Sequence, residues 1–399
     1  MSIQETLNNA FTKWMEGEGP EARIVISSRV RLARNLDGQP FPHLMSWESG
    51  QEVVGLIQEV IADPAVREKL GPLFYVSLND LSSLDRQILM EKHLISPQQA
   101  QDAQGPRGVI LRPDEAVSIM VNEEDHLRIQ VLLPAFQLGA AWRLANLVDD
   151  TLESRLDFAF DEQYGYLSCC PTNVGTGLRA SVMMHLPALA MTNQASGVFT
   201  ALSKVGFVVR GLYGEGTEAK GNLFQVSNQV TLGLSEIEIL DRLVSVSRQV
   251  IAQEQLGRRS LMKERPSQIE DMVFRAYGIL TNARLLNSEE TMFYLSCLRL
   301  GIDLGLLHNV SNRTLNELLV RTRPAFLQGD GQDSVDAFNR SLKRAEIIRK
   351  ALSSDPSPGA PGRSAPAGAD PAPPLAGGDR GSLLEGQGND QESQADFNV

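Results

Sequence analysis

The chain has 399 residues, 37 Lys and Arg against 49 Asp and Glu for a net charge of −12, and three cysteines. That acidic balance argues against direct nucleic-acid binding and suits basic protein partners, while the absence of a C-x-x-C pair excludes a disulfide framework or a cysteine-rich zinc site. No apolar run reaches membrane-spanning length, and Met1 to Gly19 lacks the apolar core of a secretion signal, so the expectation is a soluble, cytoplasmic protein.

In chain order, residues 23–233 mix short β-rich runs with helical stretches. In Ile26-Ser-Ser-Arg29-Val-Arg31-Leu32 the period of two puts Arg29 and Arg31 side by side, with apolar residues on the other face. Residues 73–77, 108–111, 117–133 and 206–210 also read as strands. With 122–131 as a strand, Asn122, Glu124, His126 and Arg128 share one face. Residues 136–156 read as one helix with Leu138, Ala141, Trp142, Ala145, Val148 and Leu152 on its apolar stripe. From Ser235 the period becomes helical, with Ile237, Leu240, Leu243, Val244, Ser247 and Ile251 in line. Ser267-Gln-Ile-Glu270 after Pro266 has the form of a capping box. Further helices are predicted over 288–300 and 311–319. Residues 353–399 are rich in Pro, Gly, Ala and Asp, with Phe397 as their one aromatic. They cannot bury enough apolar surface to offset ordering the chain, and read as a disordered tether.

Two runs carry the chemistry: Asn122-Glu-Glu-Asp-His126 with Arg128, and Cys170-Pro-Thr-Asn-Val-Gly-Thr-Gly-Leu-Arg179. Together they suit nucleotide-dependent phosphoryl transfer to a guanidinium. A guanidinium is protonated at physiological pH, so a carboxylate must hold its planar fork and take a proton. The triphosphate needs several cations, because phosphoryl transfer is catalysed mainly by positioning and charge. No G-x-x-x-x-G-K-[ST] run occurs, so side chains must hold the phosphates. Taken singly, each piece has a plainer reading. Paired strand arginines and Glu123-Glu124-Asp125 read as solvated surface, Gly-Thr-Gly as a turn, Cys169 and Cys170 as small buried hydrophobes. His126 and His185 read as hydrogen-bonded structural residues. Their occurrence in one chain, in one order, is what weakens those readings.

That order resembles the phosphagen (guanidino) kinase superfamily, and most closely the bacterial protein arginine kinases of the McsB type. The resemblance spans about residues 23–350. It rests on Ile26-Ser-Ser-Arg-Val-Arg-Leu-Ala-Arg34, Glu91-Lys-His-Leu-Ile-Ser-Pro97, the two runs above and Gly214-Glu-Gly-Thr-Glu218. It implies that Arg29, Arg31, Arg128, Arg179 and Arg210 clamp the nucleotide phosphates, with Ser28 and His93 also at the nucleotide site. Glu124 matches the carboxylate that grips the guanidinium and acts as base, and Glu215 the second carboxylate on a closing turn. Glu123 matches the residue that supports the Mg2+ shell through water, and Cys170 the thiol lying against the guanidinium. ATP and Mg2+ are the implied cofactors, with no metal held directly by the protein.

The implied fold is α+β: an antiparallel sheet flanked by helices, as in the glutamine synthetase catalytic domain, followed by an α-helical domain. The expected parts are a catalytic domain at 1–255, a dimerisation and regulatory domain at 256–352, and the tail. Phosphagen kinases that act on free guanidines resemble one another in an added helical domain ahead of the first motif, which is missing here. Met183 also stands where those kinases often carry a histidine. Both departures favour arginine within proteins as acceptor, rather than free arginine or a non-catalytic phosphoarginine-binding adaptor. The resemblance further implies a homodimer, basic DNA-binding repressors as clients, a zinc-binding activator, and a Clp ATPase that receives marked proteins under stress. Its regulatory Arg-Asp-x-x-Arg-Ala pattern is approached by Arg340-Ser-Leu-Lys-Arg344-Ala345, where Ser341 replaces the Asp and puts that regulation in doubt.

Overall fold

A computed structural model describes residues 2–101, 105–211, 219–328 and 336–354. Ten strands lie in the chain order β1 (Val25–Arg34), β2 (Phe74–Ser77), β3 (Gly108–Leu111), β4 (Val117–Val121), β5 (Leu127–Pro134), β6 (Phe160–Asp161), β7 (Gly165–Tyr166), β8 (Leu178–His185), β9 (Phe207–Gly211) and β10 (Leu223–Asn228). Eight form one antiparallel sheet in the order β2-β3-β4-β5-β1-β8-β10-β9, and β6 and β7 form a separate hairpin.

β1 is central, and every one of its residues is buried except Arg29 and Arg31. Its inward residues Val30 and Leu32 join a core with Val53 and Ile57 of the helix Trp47–Ala62 and with Ala141, Ala145 and Leu152 of the helix Leu138–Glu153. The stripe expected over 136–156 is therefore the sheet-facing side of that helix. An ion pair at 2.6 Å between buried Arg34 and Asp149 ties strand to helix. A second core joins Trp14, Met15, Ile26, Leu132, Met183 and Leu223 to the helices Pro266–Asn282, Ser288–Asp303, Asn312–Arg321 and Ala337–Ser354.

Two expectations change. Residues 117–133 are not one strand but the hairpin β4–β5, with residues 122–126 as its loop. Asn122 takes φ +52°, which Asn tolerates better than most residues, and its side chain donates to Gly50 O and Pro106 O, both at 3.0 Å. Five consecutive polar residues do not alternate, and that was the local signal for a turn. The proposed capping box at Ser267 does not form: the helix begins at Pro266 and its N-cap, Arg265, makes no side-chain cap bond. Capping boxes form instead at Ser235/Glu238 and Asn287/Glu290. The helix Glu236–Glu264 is continuous. Nearly all of the tail, from 355 on, lies outside the described residues.

Candidate active site

The strand order brings arginines from four strands to one region of the sheet. Arg31 lies opposite Gln130 of β5 and Arg179 of β8; Arg128 of β5 lies opposite Ala33, and Arg210 of β9 opposite Gln225 of β10. Arg29 donates to Ser181 Oγ at 3.3 Å and to Gln225 Oε1 at 2.9 Å. Burial, then Arg128 and Arg179, pull Arg29 down to about 10. Burial and the same neighbours, with Arg29, pull Arg31 well below its ordinary value, against the opposing charge of Glu123. Arg31 Nε is shielded from solvent without a hydrogen-bond partner. Crowded guanidinium groups repel one another, and a polyanion placed among them turns that repulsion into attraction.

The hairpin loop supplies the acids. Glu123 is buried and takes a two-oxygen contact from Arg128 Nη1 at 2.7 and 2.6 Å, plus the hydroxyl of Ser96. Burial alone would raise its carboxyl; Arg128 and Ser96 outweigh it and hold it below the usual range. Glu124, between buried Glu123 and Asp125, is exposed. Strand alternation thus does not align Asn122, Glu124 and His126: Asn122 and His126 are buried, and the loop alone turns Glu124 outward.

A buried hub aims this loop. Asp125 Oδ1 accepts from Asn35 Nδ2 and from the Cys169 amide, both at 2.7 Å. Asn35 Oδ1 accepts from the His126 amide at 2.9 Å, and its Nδ2 also donates to Leu167 O at 3.0 Å. His126 Nδ1 accepts from the Leu36 amide and its Nε2 faces Pro40 O, each at 3.0 Å, which makes it structural. Burial and Asp125 push the Cys169 thiol up to about 12; Cys170, half-buried like Cys169, has its Sγ 3.0 Å from Thr172 Oγ1. Burial, Arg210 and Arg128 lower Arg179 while Cys170 and Glu124 oppose them, so both groups lie close to the arginine cluster. Asn35, Asp125 and Ser96 were missed as positioning residues; Asn35 bonds partners about ninety residues away in sequence, and no local pattern marks it. Asp125→Ala is expected to lower kcat/KM about 10- to 100-fold by letting Glu124 and Cys170 drift apart, with KM for ATP nearly unchanged in initial-rate kinetics.

His93 takes φ +64° and lines a cleft with Ser27, Arg29, Ser181, Met183 and Gln225. Burial, Arg29 and Arg323 push its imidazole down to about 3. The unfolded chain, with an ordinary value near 6.5, therefore binds one proton more between about pH 6.5 and pH 3. The resulting stability is complete above pH 6.5 and is lost as pH falls. His93→Asn, tolerant of that backbone, is expected to remove about 1–2 kcal/mol of the loss between pH 6.5 and 5 in urea titrations. Ser28 lies on the opposite face of β1: its hydroxyl donates to Ala135 O at 2.8 Å and accepts from the Gln137 amide at 2.9 Å, and Ser27 lines the cleft instead. Glu215 lies outside the described residues. Arg344, buried, donates to Thr322 O at 3.0 Å and Leu286 O at 2.8 Å, and Ser341 Oγ to Ala337 O at 2.9 Å.

Comparison with known proteins agrees with this geometry. Residues 53–256 match the family model for the ATP:guanido phosphotransferase C-terminal catalytic domain, and residues 266–362 that for the protein-arginine kinase McsB C-terminal domain. The chain is 54% identical over 354 residues to a protein-arginine kinase of Desulforamulus reducens, covering 89% of this chain and 99% of that one. It is 49% identical over 352 residues to a protein-arginine kinase of Bacillus licheniformis, covering 88% and 96%. Among solved structures, lombricine kinase aligns with TM-score 0.52 at 25% identity over 60% of this chain and 68% of that one. The substrate-free duplicated taurocyamine kinase of Schistosoma mansoni aligns with TM-score 0.53 at 25% identity, covering 69% and 40%. With a guanidino-kinase sheet, an arginine-lined face and relatives of this likeness along nearly its whole folded length, the chain belongs to the protein-arginine kinase family of ATP:guanido phosphotransferases.

Proposed function

We propose that this protein transfers the γ-phosphoryl group of ATP to a guanidino nitrogen of arginine side chains in other proteins. The observation that carries the reading is the meeting of Arg29, Arg31, Arg128, Arg179 and Arg210 with an exposed Glu124 and a half-buried Cys170. The arginines neutralise the triphosphate and stabilise the charge spread over the moving phosphoryl group. Glu124 grips the guanidinium fork and takes the proton as the nitrogen attacks; the N–P bond forms, the bond to the β-phosphate oxygen breaks, and its electron pair leaves with ADP. Cys170, beside the arginine field, lies against the acceptor without bonding to it, where a thiolate would help electrostatically rather than attack.

In this reading Mg2+ enters with ATP as part of the substrate. Glu123, its oxygens engaged by Arg128 and Ser96, would reach that ion through water. The reading extends to Glu215 as second carboxylate, to a homodimer, to a cytoplasmic setting, to basic client proteins, to a zinc-binding activator and to Clp-type proteolysis of marked proteins under stress. No helix among the described residues is long and apolar enough to cross a membrane.

The test incubates the purified protein with Mg-ATP and an arginine-rich protein and maps N-phosphoarginine by mass spectrometry under non-acidic conditions. Phosphoarginine on protein, absent with Glu124→Ala and Glu215→Ala, is the expected result. Transfer to free arginine alone would overturn the choice of acceptor.

A further inference from the structure

The hairpin β6–β7 is built onto the loop that carries Cys170. Tyr166 and Gly175 exchange backbone bonds at 2.8 and 3.3 Å, and the Leu167 amide donates to Ala159 O at 2.9 Å. A Cβ on Gly165 would meet Gly175 O at 2.6 Å, so the two backbones are in direct contact. Beneath the hairpin the Tyr166 ring lies over the Arg34 guanidinium at 3.5 Å, and Phe160 packs edge-on to Tyr166 at 5.2 Å. Above it, Phe160, Tyr164 and Leu232 line one shallow concavity with Glu236, at exposures of 58%, 50% and 50% for the three apolar residues. Large side chains grouped on an open surface in this way mark an interaction site.

The surrounding charge has one sign. Segments 157–167 and 230–238 hold Asp157, Asp161, Glu162, Glu236 and Glu238 and no Lys or Arg. Asp161 is spent on the turn, accepting from the Gln163 and Tyr164 amides at 2.8 and 2.9 Å, and Glu238 is spent on the helix cap, accepting from the Ser235 amide and hydroxyl at 2.9 Å each; Glu162 remains exposed. Open aromatic faces beside carboxylates suit cationic side chains carried on a partly apolar chain.

We propose that this concavity docks the polypeptide flanking the acceptor arginine: a basic client segment, held by its lysines, arginines and apolar side chains next to the Cys170 loop. The inference rests on the proposed function and adds to it a protein-recognition surface distinct from the transfer site.

The experiment measures fluorescence anisotropy of a labelled peptide of alternating lysine and leucine without arginine, which reports docking with no need for turnover. Tyr164→Ala/Leu232→Ala removes exposed surface, and Glu162→Lys reverses charge without touching the core; thermal melts check both folds. Each is expected to weaken peptide binding about tenfold and to raise KM for an arginine-rich protein similarly, with kcat and KM for ATP unchanged. Equal affinity in wild type and variants overturns the proposal, as does a wild type that does not bind the peptide. So does a variant that changes only the mass measured by light scattering, which would assign the face to a second copy. Failure of the wild type to phosphorylate any protein, with peptide binding intact, would instead count against the proposed function.

Discussion

Replacing Glu254 by Ala is expected to lower the unfolding free energy by about 3–5 kcal/mol, the cost of removing one partner from a buried ion pair. Glu254 is fully buried on the helix Glu236–Glu264. It accepts from the Ala188 and Leu189 amides at 3.1 and 3.0 Å, and pairs with Arg258 Nε at 2.8 Å. Arg258 in turn reaches Asp303 at 3.0 Å, and the carbonyls of His185 at 3.2 Å and Arg23 at 3.3 Å. Asp303 already engages Arg258 Nη1, so it does not replace the carboxylate lost from Nε. One substitution therefore uncaps the helix Pro187–Met191 and takes one carboxylate from Arg258, the residue that links β8 to the helix Ser288–Asp303. Urea denaturation at pH 7 measures the loss; Glu254→Gln, which keeps an acceptor oxygen, is expected to lose less. A variant as stable as wild type would mean that the cluster contributes nothing net.

Arg31→Met is expected to act in opposite directions on stability and on activity. Arg31 is crowded by Arg29, Arg128 and Arg179, and its Nε is shielded without a partner. An apolar side chain of similar length relieves that repulsion, so the melting temperature rises. Phosphoryl transfer loses a cation aimed at developing charge, and kcat is expected to fall about 100- to 1000-fold. Differential scanning calorimetry and a coupled ADP-release assay read the two effects. Loss of both together would mark Arg31 as a structural residue instead.

The arginines of β1 were legible because a strand repeats every two residues, and a core strand that interrupts its apolar pattern twice on one face has to open that face to something charged. The acidic loop was legible as chemistry and misread as structure. Its carboxylates are where the sequence places them, but Glu124 is turned outward by a hairpin loop rather than by alternation along a strand. Ser28 lay within a matched motif, yet its parity puts it beneath the sheet, where its hydroxyl bonds Ala135 and Gln137.

By itself the sequence determined the kinds of residue available for the proposed phosphate clamp, the alternation that sets Arg29 and Arg31 on the face opposite Val30 and Leu32, the helical period after Ser235, and the acidic net charge. Those are local properties, set by side-chain chemistry and by the repeat of the element that holds them. Only the tertiary structure decided that β5, β1, β8 and β9 place Arg128, Arg31, Arg179 and Arg210 near one another. It likewise decided that Asn35 and Asp125 lock the acidic loop to the Cys170 loop. Strand order and a buried hydrogen-bond hub join residues tens to hundreds of positions apart, and the free energy that selects them comes from burying both faces of the sheet, which no short stretch of sequence encodes.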